Sequence, residues 1–233
     1  MVSVPFWTGF YAGANLGGAL NLGHGASYAP VTGGTGFDVL ATTFSDPGKS
    51  QSALTGGAQL GYNMQYGALV TGVEADFNYV NRKSGNASAT FDSLGYYGSA
   101  PYAYTGYDVT GRRKAEWFGT LRGRVGVATG RALFYATAGL AYGQVGGGGT
   151  LATTGVAETY APGSTKAERF GFAIGAGVEY ALTEAWSLKG EYLHVQFKDT
   201  SYLLTQATDA NFQLAVRQKN SFDLIRVGVN YRF

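Results

Sequence analysis

Histidine is scarce in this chain of 233 residues, which has His24 and His194 and no cysteine. A lipid-cleaving serine hydrolase needs a serine beside its histidine, but His194-Val195-Gln196 offers no serine at the two-residue spacing that shares a strand face. A protease would need a carboxylate beside its histidine, and none lies close to His24 in the sequence. Without cysteine, thiolate nucleophiles, thiolate ligands and disulfides are excluded. We therefore predict no catalytic residue, no metal site and no enzyme activity.

Two carboxylates, Glu74 and Asp76, alternate with other residues and so share one face of a strand. Paired carboxylates occur in glycosidases and in cation sites. The next apolar segment carries Arg122 and Arg124 on its polar face. This favours structural ion pairing over catalysis.

The elements that carry these residues are predicted to be strands, because apolar residues recur with a period of two. From Leu54 to Met64, every second residue is apolar or glycine, and the intervening residues are mostly polar. Eight segments follow this pattern, starting near Gly9, Leu54, Leu69, Trp117, Ala132, Phe170, Trp186 and Ser221. The pattern is less clean in the fifth and seventh.

The connections between the segments alternate in length. Tight turns are predicted at Tyr66-Gly67, at 129–131 and at 182–185, whereas long polar loops are predicted at about 21–50, 82–113, 146–166 and 199–219. The glycine-rich run from Val145 to Thr150 lacks the Lys-Ser/Thr of a phosphate-binding loop, so we assign it to a long loop. Short turns at one end and long loops at the other are typical of outer-membrane barrels.

The composition agrees with a membrane barrel. Charged residues make up 14% of the chain, against about 25% in soluble domains. A mean hydropathy of −0.05 excludes a bundle of helices that each need about 20 apolar residues. A net charge of +2 does not predict a nucleic-acid partner. We predict a single domain over residues 1–233: an all-β, eight-stranded, antiparallel up-and-down transmembrane barrel with short periplasmic turns and long extracellular loops.

The placement of charge distinguishes this barrel from a soluble ligand carrier, whose strands would alternate similarly. Charged residues fall on the polar face only: Glu74, Asp76, Glu116, Arg122, Arg124, Arg169, Glu179, Lys189, Glu191, Arg226 and Arg232. Inside a narrow lumen such charges must pair, because an unpaired buried charge is costly. Seven lie at similar depths and are predicted to form one lumen charge network: Glu74, Asp76, Arg122, Arg124, Lys189, Glu191 and Arg226.

Aromatic residues stand at both ends of the apolar face, where amphipathic rings favour membrane interfaces. Those toward the short turns are Phe10, Tyr62, Tyr180, Trp186, Tyr231 and Phe233; those toward the long loops are Tyr79, Trp117, Tyr142, Phe170 and Phe222. We expect the two sets to form two girdles facing lipid.

Both ends of the chain carry a family resemblance. The opening Trp7-Thr8-Gly9-Phe10-Tyr11-Ala12-Gly13-Ala14-Asn15-Leu16-Gly17-Gly18 and the ending Ile225-Arg226-Val227-Gly228-Val229-Asn230-Tyr231-Arg232-Phe233 resemble the small porin-like outer-membrane surface antigens of alphaproteobacteria. The resemblance implies a place in the outer membrane of a Gram-negative cell. It also implies that Val227, Val229, Tyr231 and Phe233, on the same face as Ile225, form the signal read by the outer-membrane assembly machinery.

The resemblance leaves three functions open: a structural, envelope-stabilising surface antigen, a haem binder or a narrow porin. We favour the first, with a polar, filled lumen, a monomeric state and no cofactor. Haem binding would use His24 and a tyrosine-rich loop that holds Tyr96, Tyr97, Tyr102, Tyr104 and Tyr107. Such a loop also suits a plain contact surface, which is the interpretation we prefer.

Basic residues gather near the long loops. Of 17 Lys and Arg residues, 11 lie at or near these junctions: Lys49, Arg82, Lys83, Arg112, Arg113, Lys114, Lys166, Arg169, Lys198, Arg217 and Lys219. The densest group, Arg112, Arg113 and Lys114, is predicted to contact lipopolysaccharide phosphates at the outer rim. Outer-membrane lipid and lipopolysaccharide are therefore expected partners.

Overall fold

A computed structural model describes residues 6–20, 26–30, 44–46, 52–81, 87–97, 100–153, 159–205 and 213–233. Side chains are described for residues 6–20, 52–81, 116–144, 168–199, 201–203, 215–217 and 219–233. In these parts of the chain, no helix is both long enough and apolar enough to span a membrane.

The described residues form eleven strands joined in one sheet. Their bounds are β1 Gly9–Leu20, β2 Ala26–Pro30, β3 Phe44–Asp46, β4 Ala53–Tyr66, β5 Leu69–Asn81, β6 Ala87–Tyr97, β7 Ala100–Thr129, β8 Ala132–Thr153, β9 Thr159–Ala181, β10 Trp186–Thr205 and β11 Gln213–Arg232.

Eight of these strands close into a barrel. The order is β1, β4, β5, β7, β8, β9, β10 and β11, each antiparallel to the next. Strand β1 then pairs with β11, from Tyr11 opposite Arg232 to Leu20 opposite Asp223. The prediction of an eight-stranded antiparallel up-and-down barrel is confirmed.

The short connections lie where the sequence predicts them. β4 joins β5 through Gly67 and Ala68, and β7 joins β8 through Gly130 and Arg131. Gly67 and Gly130 have φ angles of 61° and 60°, in the left-handed region that glycine adopts at least cost. Both turns therefore use glycine for a conformational reason.

The long stretches differ from the predicted loops, because much of each is strand. β6 and the first part of β7 form a hairpin within 82–113, and β8, β9, β10 and β11 all extend into the predicted loops. The glycine-rich run at Val145 to Thr150 is likewise part of β8. The alternation signal stops before the strands do, because backbone pairing continues where neither face of a strand is held against lipid.

The two faces of the wall have the expected character. Side chains such as Leu60, Phe77 and Leu140 point outward and are exposed, whereas their strand neighbours point into a packed interior. Charged residues such as Glu74 and Arg122 are buried there. The outer face is apolar and the inner face is polar at this level, the reverse of a soluble protein.

A closed sheet of this kind resists unfolding by detergent at room temperature, because its backbone hydrogen bonds are all internal. We expect folded protein in dodecyl sulfate to migrate at a different position from boiled protein on a gel, and to show a β-type circular dichroism spectrum. A helical spectrum, or identical migration of both samples, would contradict the fold.

Candidate functional site: the filled lumen

The centre of the lumen is organised around Arg122 on β7. Its Nη2 lies 2.6 Å from Glu74 Oε1 and 2.8 Å from Asp76 Oδ2, both on the neighbouring strand β5. Its Nη1 lies 3.2 Å from Glu191 Oε1 on β10, across the barrel. One guanidinium thus contacts three carboxylates, a geometry that suits its planar set of donors.

Two further cations complete the layer. Arg226 on β11 donates from Nε to Glu191 Oε2 at 2.7 Å and from Nη2 to Asp76 Oδ2 at 3.0 Å. The Nζ of Lys189 lies 2.8 Å from both carboxylate oxygens of Glu74. The side chains of these cations are fully buried. Their charges are therefore stabilised by the neighbouring carboxylates rather than by water.

Arg124 pairs with Glu179, a residue that the sequence places on the polar face but outside the predicted network. Arg124 Nη2 lies 2.9 Å from Glu179 Oε2, and Glu179 also accepts from Ser187 Oγ and Asn230 Nδ2. The seven predicted residues and Glu179 form one connected cluster. Of the other predicted polar-face residues, Arg169 and Arg232 bond to backbone carbonyls elsewhere.

The charges in this cluster balance. Among the described residues, the buried acids are Glu74, Asp76, Glu179 and Glu191, and the buried bases are Arg122, Arg124, Lys189 and Arg226. Four acids against four bases give no net charge in the buried lumen. Chemically, the arrangement is a set of mutual ion pairs rather than a site holding a free acid or base, although Arg124 Nε and Arg226 Nη1 have no hydrogen-bond partner among the described residues.

Two tyrosines missed by the sequence analysis extend the cluster. Tyr11 Oη donates to Glu74 Oε2 at 2.8 Å, and Tyr135 Oη donates to Glu191 Oε1 at 2.9 Å. Their rings need space that only glycine leaves, because a Cβ at Gly61 would clash with Tyr11 and one at Gly177 with Tyr135. Both tyrosines lie on the inward face of their strands. That position could have indicated them, but the apolar alternation of these two strands is short or weak.

Above the charges, toward the long loops, the lumen is mainly apolar, with the buried Thr55, Asn78 and Asn220 opposite members of the apolar set. Phe118 and Phe222 meet edge to face with their ring centroids 5.1 Å apart, and Phe197 lies beyond Phe222 at 6.2 Å. The full apolar layer is Ala19, Ala53, Val80, Phe118, Ala141, Ala173, Leu193, Val195, Phe197, Phe222 and Leu224.

This layer corrects two predictions. The interior is not polar throughout, since the charged layer fills only part of its height. Phe222 does not belong to the outer girdle, because it lies on the same inward face of β11 as Leu224 and Arg226 and is buried. Phe222 has the same parity along the strand as Arg226, so the period-two alternation itself places it on the lumen face, whereas an aromatic ring near a strand end by itself suits the girdle.

Below the charges, at the short-turn end, the segment before β1 enters the barrel. Trp7 is buried and packs with Val70, Leu133, Tyr135 and Ala181. The guanidinium of Arg232 lies over the rings of Phe6 and Trp7, with its carbon 4.8 and 5.3 Å from their centroids. The lumen is thus occupied at three levels, which we call the tryptophan plug, the charged layer and the apolar layer.

The outer face carries the remaining predicted girdle residues. Phe77, Trp117, Tyr142 and Phe170 form a continuous row, with centroid spacings of 5.5, 5.6 and 4.8 Å. The residues of the predicted assembly signal, Val227, Val229, Tyr231 and Phe233, are all exposed on the outward face of β11 or just past its end. Their recognition by assembly machinery stays a prediction.

His194 has a carboxylate partner that the sequence analysis did not find. Its Nδ1 lies 2.8 Å from Asp223 Oδ1, directly opposite on β11, and the Tyr192 hydroxyl donates to the same oxygen at 2.7 Å. All three lie on the outer face, away from the charged layer. Within the described part of the chain, no three histidine or acidic side chains gather where they could hold a metal ion.

Other predicted residues fall where side chains are not described. The backbone of Arg112, Arg113 and Lys114 lies in β7, opposite Gly148, Gly147 and Gly146 of β8. The tyrosine-rich segment forms the β6 and β7 hairpin, closed by Tyr97 opposite Ala100. His24 lies outside the described residues, so the haem and rim hypotheses stay predictions.

A closed antiparallel barrel with an apolar outer face and a charged lumen defines a class, the outer-membrane β-barrel proteins. The chain belongs to the family described as the outer membrane protein beta-barrel domain, which matches residues 5–233. It is a protein of the bacterial outer membrane, as predicted.

The relatives are also outer-membrane proteins, and they come from alphaproteobacteria. The 31 kDa outer-membrane immunogenic protein of Brucella melitensis is 32% identical over 229 residues, covering 97% of this chain and 84% of the relative. The 22 kDa outer membrane protein of Rhizobium leguminosarum bv. viciae is 30% identical over 145 residues, covering 61% and 52%. The predicted resemblance to alphaproteobacterial surface antigens is confirmed.

Among solved structures, the chain is similar to the outer membrane protein OprG from Pseudomonas aeruginosa, at 14% identity and a TM-score of 0.46, covering 97% of this chain and 96% of that one. Neisserial surface protein A matches at 14% identity and a TM-score of 0.39, covering 97% and 98%.

Proposed function

We propose that this protein is a structural surface component of the outer membrane, which stabilises the envelope and presents its long-loop end as an antigen without passing solutes. The observation that carries this proposal is the occupied lumen. A wall of eight strands encloses an interior only wide enough for side chains. Here the tryptophan plug, the charged layer and the apolar layer stand one above another along it.

The apolar layer argues against a narrow porin more strongly than the charges do. An ion in the lumen would lose its hydration beside the rings of Phe118, Phe197 and Phe222, which offer no polar atoms in return. In the charged layer, Arg122 and Lys189 are held by carboxylates and are not free to attract a passing anion.

An antigenic role is supported by a relative and by the shape of the long-loop end. The Brucella melitensis relative carries the name outer-membrane immunogenic protein. In this chain, β6 pairs with the extended part of β7, and β2 and β3 pair beside β11. These pairs extend the barrel wall past the aromatic row, where antibodies reach a surface protein.

Planar-bilayer recording tests the proposal. The refolded full chain is expected to give no stable conductance steps, because an ion that crosses the apolar layer would lose hydration that the rings do not replace. Insertion is verified separately by heat-dependent migration of the reconstituted protein, and a large general porin in the same bilayer serves as the positive control. Long-lived conductance steps from correctly inserted protein would overturn the structural proposal in favour of the porin alternative.

A further inference from the structure

The aromatic row on the outer face is interrupted on one side of the barrel. It runs across β5, β7, β8 and β9 and ends at Phe170, with the exposed ring of Phe172 at the next outward position of β9. On the next strand, Gln196 lies opposite Phe172, and Ser221 of β11 lies opposite Gln196. Polar side chains thus occupy the height at which neighbouring strands place rings. Interface positions on a lipid-facing wall are enriched in aromatic residues, so polar residues here are unusual.

Two lysines stand just beyond this gap. In the pairing of β10 with β11, Phe197 lies opposite Asn220 and Thr200 opposite Gln218, so a bulge places Lys198 and Asp199 against Lys219. Lys198 and Lys219 are both exposed. Like charges close together on two paired strands repel each other, and a bound anion would reduce this repulsion.

The nearest cation and carboxylate do not cancel the lysine pair. Arg217, next on the same face of β11, donates from Nε to Asp199 Oδ2 at 3.0 Å. That carboxylate is therefore engaged by an arginine. Local charge at the bulge is three cations against one acid, which leaves an excess of positive charge on the outer surface.

Below the gap lies a group of hydrogen-bonding side chains. Tyr192 and His194 both contact Asp223 Oδ1, at 2.7 and 2.8 Å. A tyrosine hydroxyl, an imidazole and a carboxylate on a lipid-facing wall suit the hydroxyl groups of a sugar better than acyl chains. From Tyr192 up to Lys219, the outer face of β10 and β11 therefore forms a continuous polar column.

We propose that this polar column binds the phosphorylated sugar headgroup of an outer-leaflet glycolipid. One phosphate bridges Lys198 Nζ and Lys219 Nζ, and the sugar lies against Gln196, Ser221 and His194. The lysines lie at the level where the aromatic row marks the outer interface, which is where lipid phosphates stand. Ammonium groups bind phosphate as point charges, so no single rotamer of either lysine is required.

This site is separate from the predicted rim at Arg112, Arg113 and Lys114, which lies on β7 across the barrel. It is also independent of the proposed structural function, since a conducting barrel would carry the same outer face. Lipid-binding measurements therefore test the polar column, and conductance measurements test the structural function.

The test uses refolded full-length protein in neutral detergent, with diphosphoryl lipid A as the probe and dephosphorylated lipid A and inorganic phosphate as comparisons. The parent, K198Q/K219Q, the charge-keeping K198R/K219R and the rim variant R112Q/R113Q/K114Q are compared by titration at low and moderate salt. We expect K198Q/K219Q to bind diphosphoryl lipid A about tenfold more weakly, because it loses two charge-assisted contacts. K198R/K219R should bind much like the parent.

Each result decides the proposal. Equal affinity of the parent and K198Q/K219Q would overturn the lysine site, as would equal affinity of the parent for lipid A with and without its phosphates. Parent binding of inorganic phosphate as tight as that of lipid A would overturn the glycolipid assignment. A loss confined to the rim variant would place the site on β7 instead. Heat-dependent gel migration confirms that each variant is folded.

Discussion

Replacing Arg122 with methionine is expected to lower the free energy of unfolding by about 3 to 5 kcal/mol, the range observed when one partner of a buried ion pair is removed. Arg122 contacts Glu74, Asp76 and Glu191, so its loss leaves four buried acids facing three buried bases. Methionine keeps much of the side-chain volume, so the effect reports mainly the lost charge and hydrogen bonds.

The matched variant is R122M/D76N, which removes one cation and one anion and so keeps the lumen neutral. We expect it to be more stable than R122M by at least about 1 kcal/mol, because the uncompensated carboxylate is gone. Urea unfolding in phospholipid vesicles, followed by tryptophan fluorescence, measures both. R131Q, in an exposed turn, should change stability little. Equal losses for R122M and R122M/D76N would show that the charges do not act as a paired network.

Replacing Phe222 with alanine is expected to cost about 3 to 5 kcal/mol, because it leaves a cavity among rigid neighbours in the apolar layer. The ring packs against Phe118 and Phe197. The matched control is F170A, since Phe170 lies on the outer face and is 71% exposed. Fluid acyl chains refill the space there, so only the ring pairing and transfer contributions are lost, about 1 to 2 kcal/mol.

The comparison also tests the direction in which Phe222 points. Both variants are measured by the same urea titration, and F222A should lose clearly more stability than F170A. If F170A were the more damaging change, Phe222 would belong to the outer girdle, as its aromatic ring and its position near a strand end suggest.

The architecture follows from local pattern to an unusual degree. The alternation from Leu54 to Met64 predicts a strand with one apolar face because lipid on one side and a packed lumen on the other constrain every residue. Alternating connection lengths then predict the antiparallel order, since a short turn can join only adjacent strands. The same parity placed Glu74, Asp76, Arg122 and Arg226 on the lumen face.

The alternation of apolar and polar residues predicts the structure less well where either the lipid or the packed lumen is absent. Beyond the membrane, both faces of a strand can be polar, so the sequence predicts loops where β7 to β11 extend as strands. Near strand ends, an aromatic residue suits the interface and the lumen alike, so residue type suggests the outer girdle for Phe222 although its parity with Arg226 places it in the lumen.

Which side chains meet across the barrel was decided by tertiary structure alone. Glu179 reaches Arg124, Glu191 reaches Arg122, and Trp7 enters the lumen from a segment that precedes the first strand. His194 meets Asp223 because of the register of β10 against β11, a one-residue shift of which would turn one of them inward. By itself the sequence determined the face on which most residues of the eight alternating segments stand. Strand tilt, register and closure determined its partners, because they bring together residues that lie far apart along the chain.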